Sequence, residues 1–287
     1  MLALLEIPGS TLVSILQLLG DAAYRKDIVR RLADPVVRNY WEHEFAAMPA
    51  KLQAEAIAPI QNKVGAFVSS PLLRNLVGQA KSSIDFRSVL DTGKVLLVNV
   101  SKGRVGDDAS ALLGSLLVTS LQLAAMSRAD IPEHERRHFY LYVDEFQNFA
   151  TDSFATILSE ARKYRLALTI ANQYLAQMEE ATAAAVFGNV GTLAVFQLGA
   201  QDTELIAAQL AGDVQPADLI ALPRYQALVR LLIDGMPSRP FSMRTLPPIT
   251  RPLDPKRAAS IRRYCRQRYG RPAVQVEADI RSTLARR

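Results

Sequence analysis

The chain has a single cysteine, Cys265, among 287 residues, so no intrachain disulfide can form and a reducing, cytoplasmic compartment is the natural expectation. Long apolar runs free of charge are few. The most apolar stretch, MLALLEIPGSTLVSILQLLG at 1–20, is interrupted by Glu6, Pro8, Gly9 and Gln17, and no basic residue precedes Arg25. That pattern argues against a signal peptide or membrane span and for a core helix followed by a turn. No other window sustains a spanning length without charge, so membrane contact is expected only through a partner. With 49% hydrophobic and 22% charged residues the chain is neither disordered nor fibrous, and it is long enough for one substantial core or two small ones.

Acidic residues are scarce in one place. Residues 251–287 hold eleven Lys or Arg against Asp254, Glu277 and Asp279, a net of +8 that exceeds the +6 of the whole chain, so the remainder carries −2. A basic tail on a near-neutral body is an electrostatic footprint for nucleic acid or another polyanion, with Arg262, Arg263, Arg266 and Arg268 as candidate contacts. A merely solvated terminus gives the same composition.

What is present centres on 138–173, HFYLYVDEFQNFATDSFATILSEARKYRLALTIANQ. The run from Phe139 to Val143 reads as a buried parallel strand and ends in two carboxylates, Asp144 and Glu145. Phe154, Ile157, Leu158 and Ala161 then fall on one helical face, with Thr151, Asp152 and Ser153 as possible caps. A second strand run, 166–171, ends in Asn172 and Gln173. Strand, acids, helix, strand, amide is the order of a parallel sheet with a crossover helix, whose ligands sit outside the carboxyl ends of the strands. Glu145 and Gln173 are therefore expected on one rim.

This stretch resembles the Walker B to sensor region of the HerA and FtsK-like P-loop ATPases, and most closely the conjugative type IV coupling proteins of the TraG and TraD kind. The resemblance implies an α/β fold: a RecA-like P-loop NTPase core with a parallel sheet, an N-terminal helical subdomain and a basic C-terminal tail, divided at 1–80, 81–250 and 251–287. It implies ATP and Mg²⁺ as cofactors, with Asp144 holding the metal through water, Glu145 polarising the attacking water, Gln173 sensing the γ-phosphate, and Arg162 serving as an arginine finger for the next subunit of a ring, a hexamer in the full-length family. The partners implied are DNA and secretion-channel or relaxosome proteins, at a site peripheral to the inner membrane. HerA-like repair or packaging motors share these motifs.

The phosphate-holding half is absent. No G-x-x-x-x-G-K-[ST] occurs; GQAKSS and GKVLL lack the first glycine at the required spacing and the strand before it. The chain is thus expected to be the C-terminal part of such an ATPase, without useful turnover alone. The P-loop strand would lie between 166–171 and 192–197, which should either pair directly or keep open edges.

Other segments carry simpler expectations. Residues 1–80 read as helices, with Ile28, Val29, Leu32 and Val36 on one face, Pro35 as a helix end, Pro59 as a break and Trp41 as a packing anchor. KVLLVNV at 94–100 reads as a strand, followed by a loop whose Lys102 and Arg104 could meet phosphate and then by a long helix bearing Leu112, Leu113, Leu116, Leu117 and Leu121. Residues 225–233 and 241–246 flank Asp234, Gly235, Met236, Pro237 and Ser238 and read as an antiparallel hairpin at the sheet edge. His134 to His138 spells HERRH, a literal H-E-x-x-H, but Pro132 and the strand at Phe139 leave no helix to align its histidines. Two alternatives stand beside the motor: a non-catalytic DNA-binding or docking module, and a zinc hydrolase built on HERRH.

Overall fold

The computed structural model describes residues 1–150, 152–248 and 254–285, with the backbone alone at 152, 153, 155 and 156. The candidate caps Thr151, Asp152 and Ser153 lie outside the described side chains. The chain divides into two compact units, Met1–Asp85 with Asp254–Arg287, and Phe86–Leu253.

The first unit is helical. Thr11 caps the Leu12–Gly20 helix and Asp21 caps Ala22–Arg30, each side chain accepting from backbone amides one turn in. Leu4, Ile7, Ile15, Leu18, Ile28, Val29, Leu32 and Val64 form its core, with half-buried Trp41 packed against it. Val36 does not join them and is 76% exposed. Pro35 begins the Pro35–Asn39 helix behind the Asp34 cap instead of ending one. Pro59 does not break the chain either: it stands inside Ala50–Ser69, where it and Glu55 are exposed, so the carbonyl it leaves unbonded can meet water. The C-terminal residues fold onto this unit. Ala273–Ala285 buries Val276 and Ile280 beside Val13 and Val68, and Asn75 donates to Glu277 at 3.3 Å. Pro255–Tyr269, capped by Asp254, buries none of its residues and displays Cys265 to solvent.

The second unit holds the sheets. Strands β1 (Phe139–Val143) and β2 (Leu166–Ile170) pair in parallel, Phe139 opposite Leu166 and Val143 opposite Ile170. Beneath them Leu90, Val118, Leu121, Phe146, Phe149, Phe154, Ile157 and Val186 form the main core. The Asp107–Met126 helix presents mostly small residues to that core: Ala109, Ser110, Gly114, Ala124 and Ala125 are buried, whereas Leu116 is 39% exposed. A Cβ on Gly114 would lie 2.0 Å from the Phe149 ring, so the glycine is what lets the ring seat. Contrary to the expectation that no other window reaches a spanning length without charge, the stretch Asp107–Asp130 is apolar enough by length and composition to cross a membrane; Val118 and Leu121 within it lie in the core.

The expected single sheet is divided. Residues 94–100 form no strand. Strand β3 (Leu193–Val195) pairs antiparallel with β4 (Gln226–Arg230), which pairs antiparallel with β7 (Phe241–Arg244). The hairpin forms, but its connection is shorter than expected: β5 (Leu232–Ile233) and β6 (Met236–Pro237) pair at its tip, and only Asp234 and Gly235, both at positive φ, make the two-residue turn that matches strand twist. Among the described residues β2 pairs only with β1 and β3 only with β4, so the two edges expected to pair or stay open stay open.

Candidate active site

The parallel ladder runs on past the strands. Ala171 N–H donates to Val143 O and Phe146 N–H to Ala171 O, both at 2.9 Å, so residues 144–145 and 172–173 leave the sheet at the same end. Glu145 takes the left-handed conformation, φ 51°, where an ordinary side chain costs about 1 kcal/mol or more. That turn reverses the chain into a 3₁₀ segment, Phe146–Asn148, and Phe146 plugs the core with no exposure, its ring 4.3 Å from Phe154.

The reversal fixes the Glu145 carboxylate. Gln173 Nε2 donates to one oxygen, and Gln147 Nε2 donates to the other at 2.7 Å. Asp144, exposed, accepts the Glu145 amide at 3.0 Å. The acids expected at the strand end stand just beyond it, in the turn after Val143, so strand alternation does not set their directions. Gln147 was not foreseen; the signal available was its place two residues after the acids, readable only once the left-handed turn is known.

Arg162 lies at the opposite end. It sits exposed on the Ala161–Tyr164 turn before β2, and five strand residues at roughly 3.3 Å each separate that turn from the rim. The fold does not bring it to Glu145 of its own chain. The turn is firmly tied: Arg136 donates to Lys163 O and stacks its guanidinium 5.5 Å over the Tyr164 ring. Arg128, wholly buried, donates to Tyr164 O and Arg137 O at 3.0 Å and to Asp91 Oδ1 at 2.8 Å. Burial pushes the Arg128 guanidinium below its usual range, and Asp91 opposes that shift.

Arg262, Arg263, Arg266 and Arg268 are exposed on Pro255–Tyr269, and no ion pair joins any of them to an acid among the described residues. HERRH forms no metal site of the zincin kind: a three-residue 3₁₀ turn, Glu133–Glu135, gives way to extended backbone at Arg136, and His138 Nε2 lies 3.3 Å from Arg165. Among the described residues no three His, Cys, Asp or Glu come together. Lys102 faces Asp107 at 3.6 Å in an exposed pair.

Residues 138–218, from the start of β1 to the approach to β4, match the family described as the TraM recognition site of TraD and TraG. The resemblance to conjugative coupling proteins is borne out. Two solved structures share the fold. The bacterial conjugative coupling protein TrwBdeltaN70, in an unbound monoclinic form, aligns with a TM-score of 0.56 at 19% identity, covering 76% of this chain and 55% of its own. The plasmid coupling protein TrwB in complex with the non-hydrolysable GTP analogue GDPNP aligns with a TM-score of 0.54 at 18% identity, covering 85% of this chain and 61% of its own. This chain therefore spans less than two thirds of either. No curated protein matches it.

The donor set suits half of a nucleotide site. Mg²⁺ is commonly held by one or two carboxylates together with substrate phosphates and water, and an exposed Asp144 beside an oriented Glu145 is of that kind. The glycine-rich cradle for the phosphates is not in this sequence.

Proposed function

We propose that the chain is the C-terminal part of an ATP-driven, DNA-translocating motor of a conjugation or type IV secretion system, contributing the carboxylate half of a site completed by a P-loop on other sequence. The observation that carries this reading is the Gln173 amide bonded to the Glu145 carboxylate at the carboxyl ends of two parallel strands. In this role Asp144 holds hydrated Mg²⁺, which when bound neutralises charge on the β- and γ-phosphates. Glu145, its two oxygens set by Gln147 and Gln173, orients the attacking water and takes its proton. Arg162, displayed away from its own rim, would act on the neighbouring subunit of a ring, a hexamer by family resemblance. A relaxosome protein of the TraM kind is the protein partner that the family description suggests.

ATP hydrolysis is the test. We expect no useful turnover by the chain alone, turnover once the P-loop-bearing segment is supplied, and its loss on Glu145→Gln. Hydrolysis by the chain alone, or turnover indifferent to Glu145→Gln, overturns the proposal. Mixing Arg162→Ala with Glu145→Gln subunits should recover part of the activity, because some shared sites then take both lesions together and leave others with a wild-type Glu145 and a wild-type Arg162.

The exposed cations of Pro255–Tyr269 favour a second reading, a DNA-binding or docking module without catalysis. DNA binding that weakens steeply with salt and vanishes when 254–287 is removed, with no turnover under any complementation, would select it.

A further inference from the structure

The HERRH segment at 134–138 has no part in the chemistry proposed for the rim. Together with Glu133 it is stitched to the turn that carries Arg162, and the stitches run in both directions. Arg136, half-buried, fixes its own stem by donating from Nε to Ile131 O at 2.9 Å, then donates to Lys163 O and lays its guanidinium over the Tyr164 ring. Arg165 returns the contact. Its Nε donates to Glu133 O at 3.4 Å and its Nη1 lies 3.3 Å from His138 Nε2, where the ring nitrogen accepts because a guanidinium has donors only. Buried Arg128 joins the same two segments through Arg137 O and Tyr164 O.

The turn is held at each residue, and one side chain is left free. Ala161 is buried in the main core, Lys163 lies 3.9 Å from Glu160, and Tyr164 is pinned by its ring and its carbonyl. The Arg165 carbonyl accepts the Phe139 amide at 2.9 Å, and the Arg162 carbonyl accepts the Arg165 amide at 3.1 Å. The Arg162 guanidinium, by contrast, is exposed and has no partner among the described residues. Ordering the base of a long side chain while its head stays free costs entropy and returns no contact to this chain. Such ordering matters for a guanidinium that must meet a reacting group, because a misplacement of about 1 Å can cost about 100-fold in rate.

We propose, on the reading of Arg162 as an arginine finger, that residues 133–138 are its brace and that Arg136 is the main positioning residue. The brace fixes the turn from which Arg162 reaches the neighbouring subunit. HERRH then has a task that needs neither a metal nor a helix.

The test pairs the chain alone with the ring completed by the P-loop-bearing segment. In the chain alone, Arg136→Ala should lower the ¹⁵N order parameters at 162–164 from about 0.85 toward about 0.6, while Phe146 and Ala171 keep theirs. In the ring, Arg136→Ala should lower kcat about 100-fold and leave KM for ATP within about twofold, because a finger acts on the transition state. Arg162→Ala should lower kcat about 1,000-fold or more. Mixed with Glu145→Gln subunits, Arg136→Ala subunits should recover part of the activity, since they bring an intact Glu145 and their neighbours a braced Arg162. Arg165→Gly, whose φ of 55° suits glycine, removes the return stitches and should move both readouts the same way. No turnover under complementation, or turnover indifferent to Arg162→Ala, overturns the finger reading and the brace together. Turnover that needs Arg162 but neither Arg136 nor Arg165, a loss that mixing does not recover, or unchanged order parameters overturns the brace alone.

Discussion

At their amino ends β1 and β2 are held together by a buried guanidinium that reaches the carbonyls just before each strand; at their carboxyl ends the crossing contacts are a backbone ladder, one side-chain amide and one carboxylate near solvent. The first end carries the desolvated charge and its acid partner, with Arg162 exposed on the turn beside it. The second carries Asp144, Glu145 and Gln173. Each end holds one left-handed residue, Arg165 at the first and Glu145 at the second, so the difference between them is burial: the clamp is desolvated, whereas the carboxylate contacts lie near solvent.

The largest effect should come from removing the clamp. Arg128→Ala leaves Asp91 Oδ1 and two carbonyls without this donor, Arg87 still holding Asp91 Oδ2, and should cost about 3 kcal/mol, read as a lowered urea midpoint. The carboxyl end should tolerate crowding poorly too, because Phe149 rests in the notch at Gly114: Gly114→Ala forces the ring to move and should cost about 1–3 kcal/mol in the same measurement. Comparable losses for these two variants would show that the rim's support is as firm as the clamp and would weaken the contrast. Glu145→Gly should change stability by less than about 1 kcal/mol, relief of the positive φ offsetting the lost hydrogen bonds from Gln147 and Gln173, while removing the proposed catalytic group. Arg165→Gly, at φ 55° on the clamped side, should be similarly small, because its side chain also contacts His138 and Glu133 O. The smallest change is expected for Gln173→Ala, less than about 0.5 kcal/mol, visible mainly as a shift of the Glu145 carboxyl carbon resonance.

How much of this was legible depended on whether the deciding contact was local. The run from Phe139 to Val143 ending in Asp144 and Glu145, and the run from Leu166 ending in Gln173, announced a parallel pair with one polar rim, because strand-end chemistry is written locally; the expected burial of the first run does not hold, since Tyr140 and Tyr142 are 60% and 71% exposed where nothing among the described residues covers that face. Asp234 and Gly235 announced their turn for the same reason. Arg128 gave no sign: before Asp130 it reads as one more surface cation, and only the meeting of Asp91, Arg137 and Tyr164 buries it. Residues 94–100 mislead in the opposite sense, since their pattern is that of a strand and the ladder that would make them one is not formed. Gln147 became interesting only through the φ of its neighbour but one. Val36 and Pro59 were misjudged because a helical face says where a residue points, not whether anything stands opposite.

Cys265 is the sole thiol, and it lies exposed on the Pro255–Tyr269 helix among arginines. A maleimide dye added to the unmodified protein therefore labels one known position, with no engineered cysteine and no background from elsewhere in the chain. The same exposure exposes the purified protein to dimerisation through an intermolecular disulfide, so a reductant belongs in any buffer used to ask whether two copies associate.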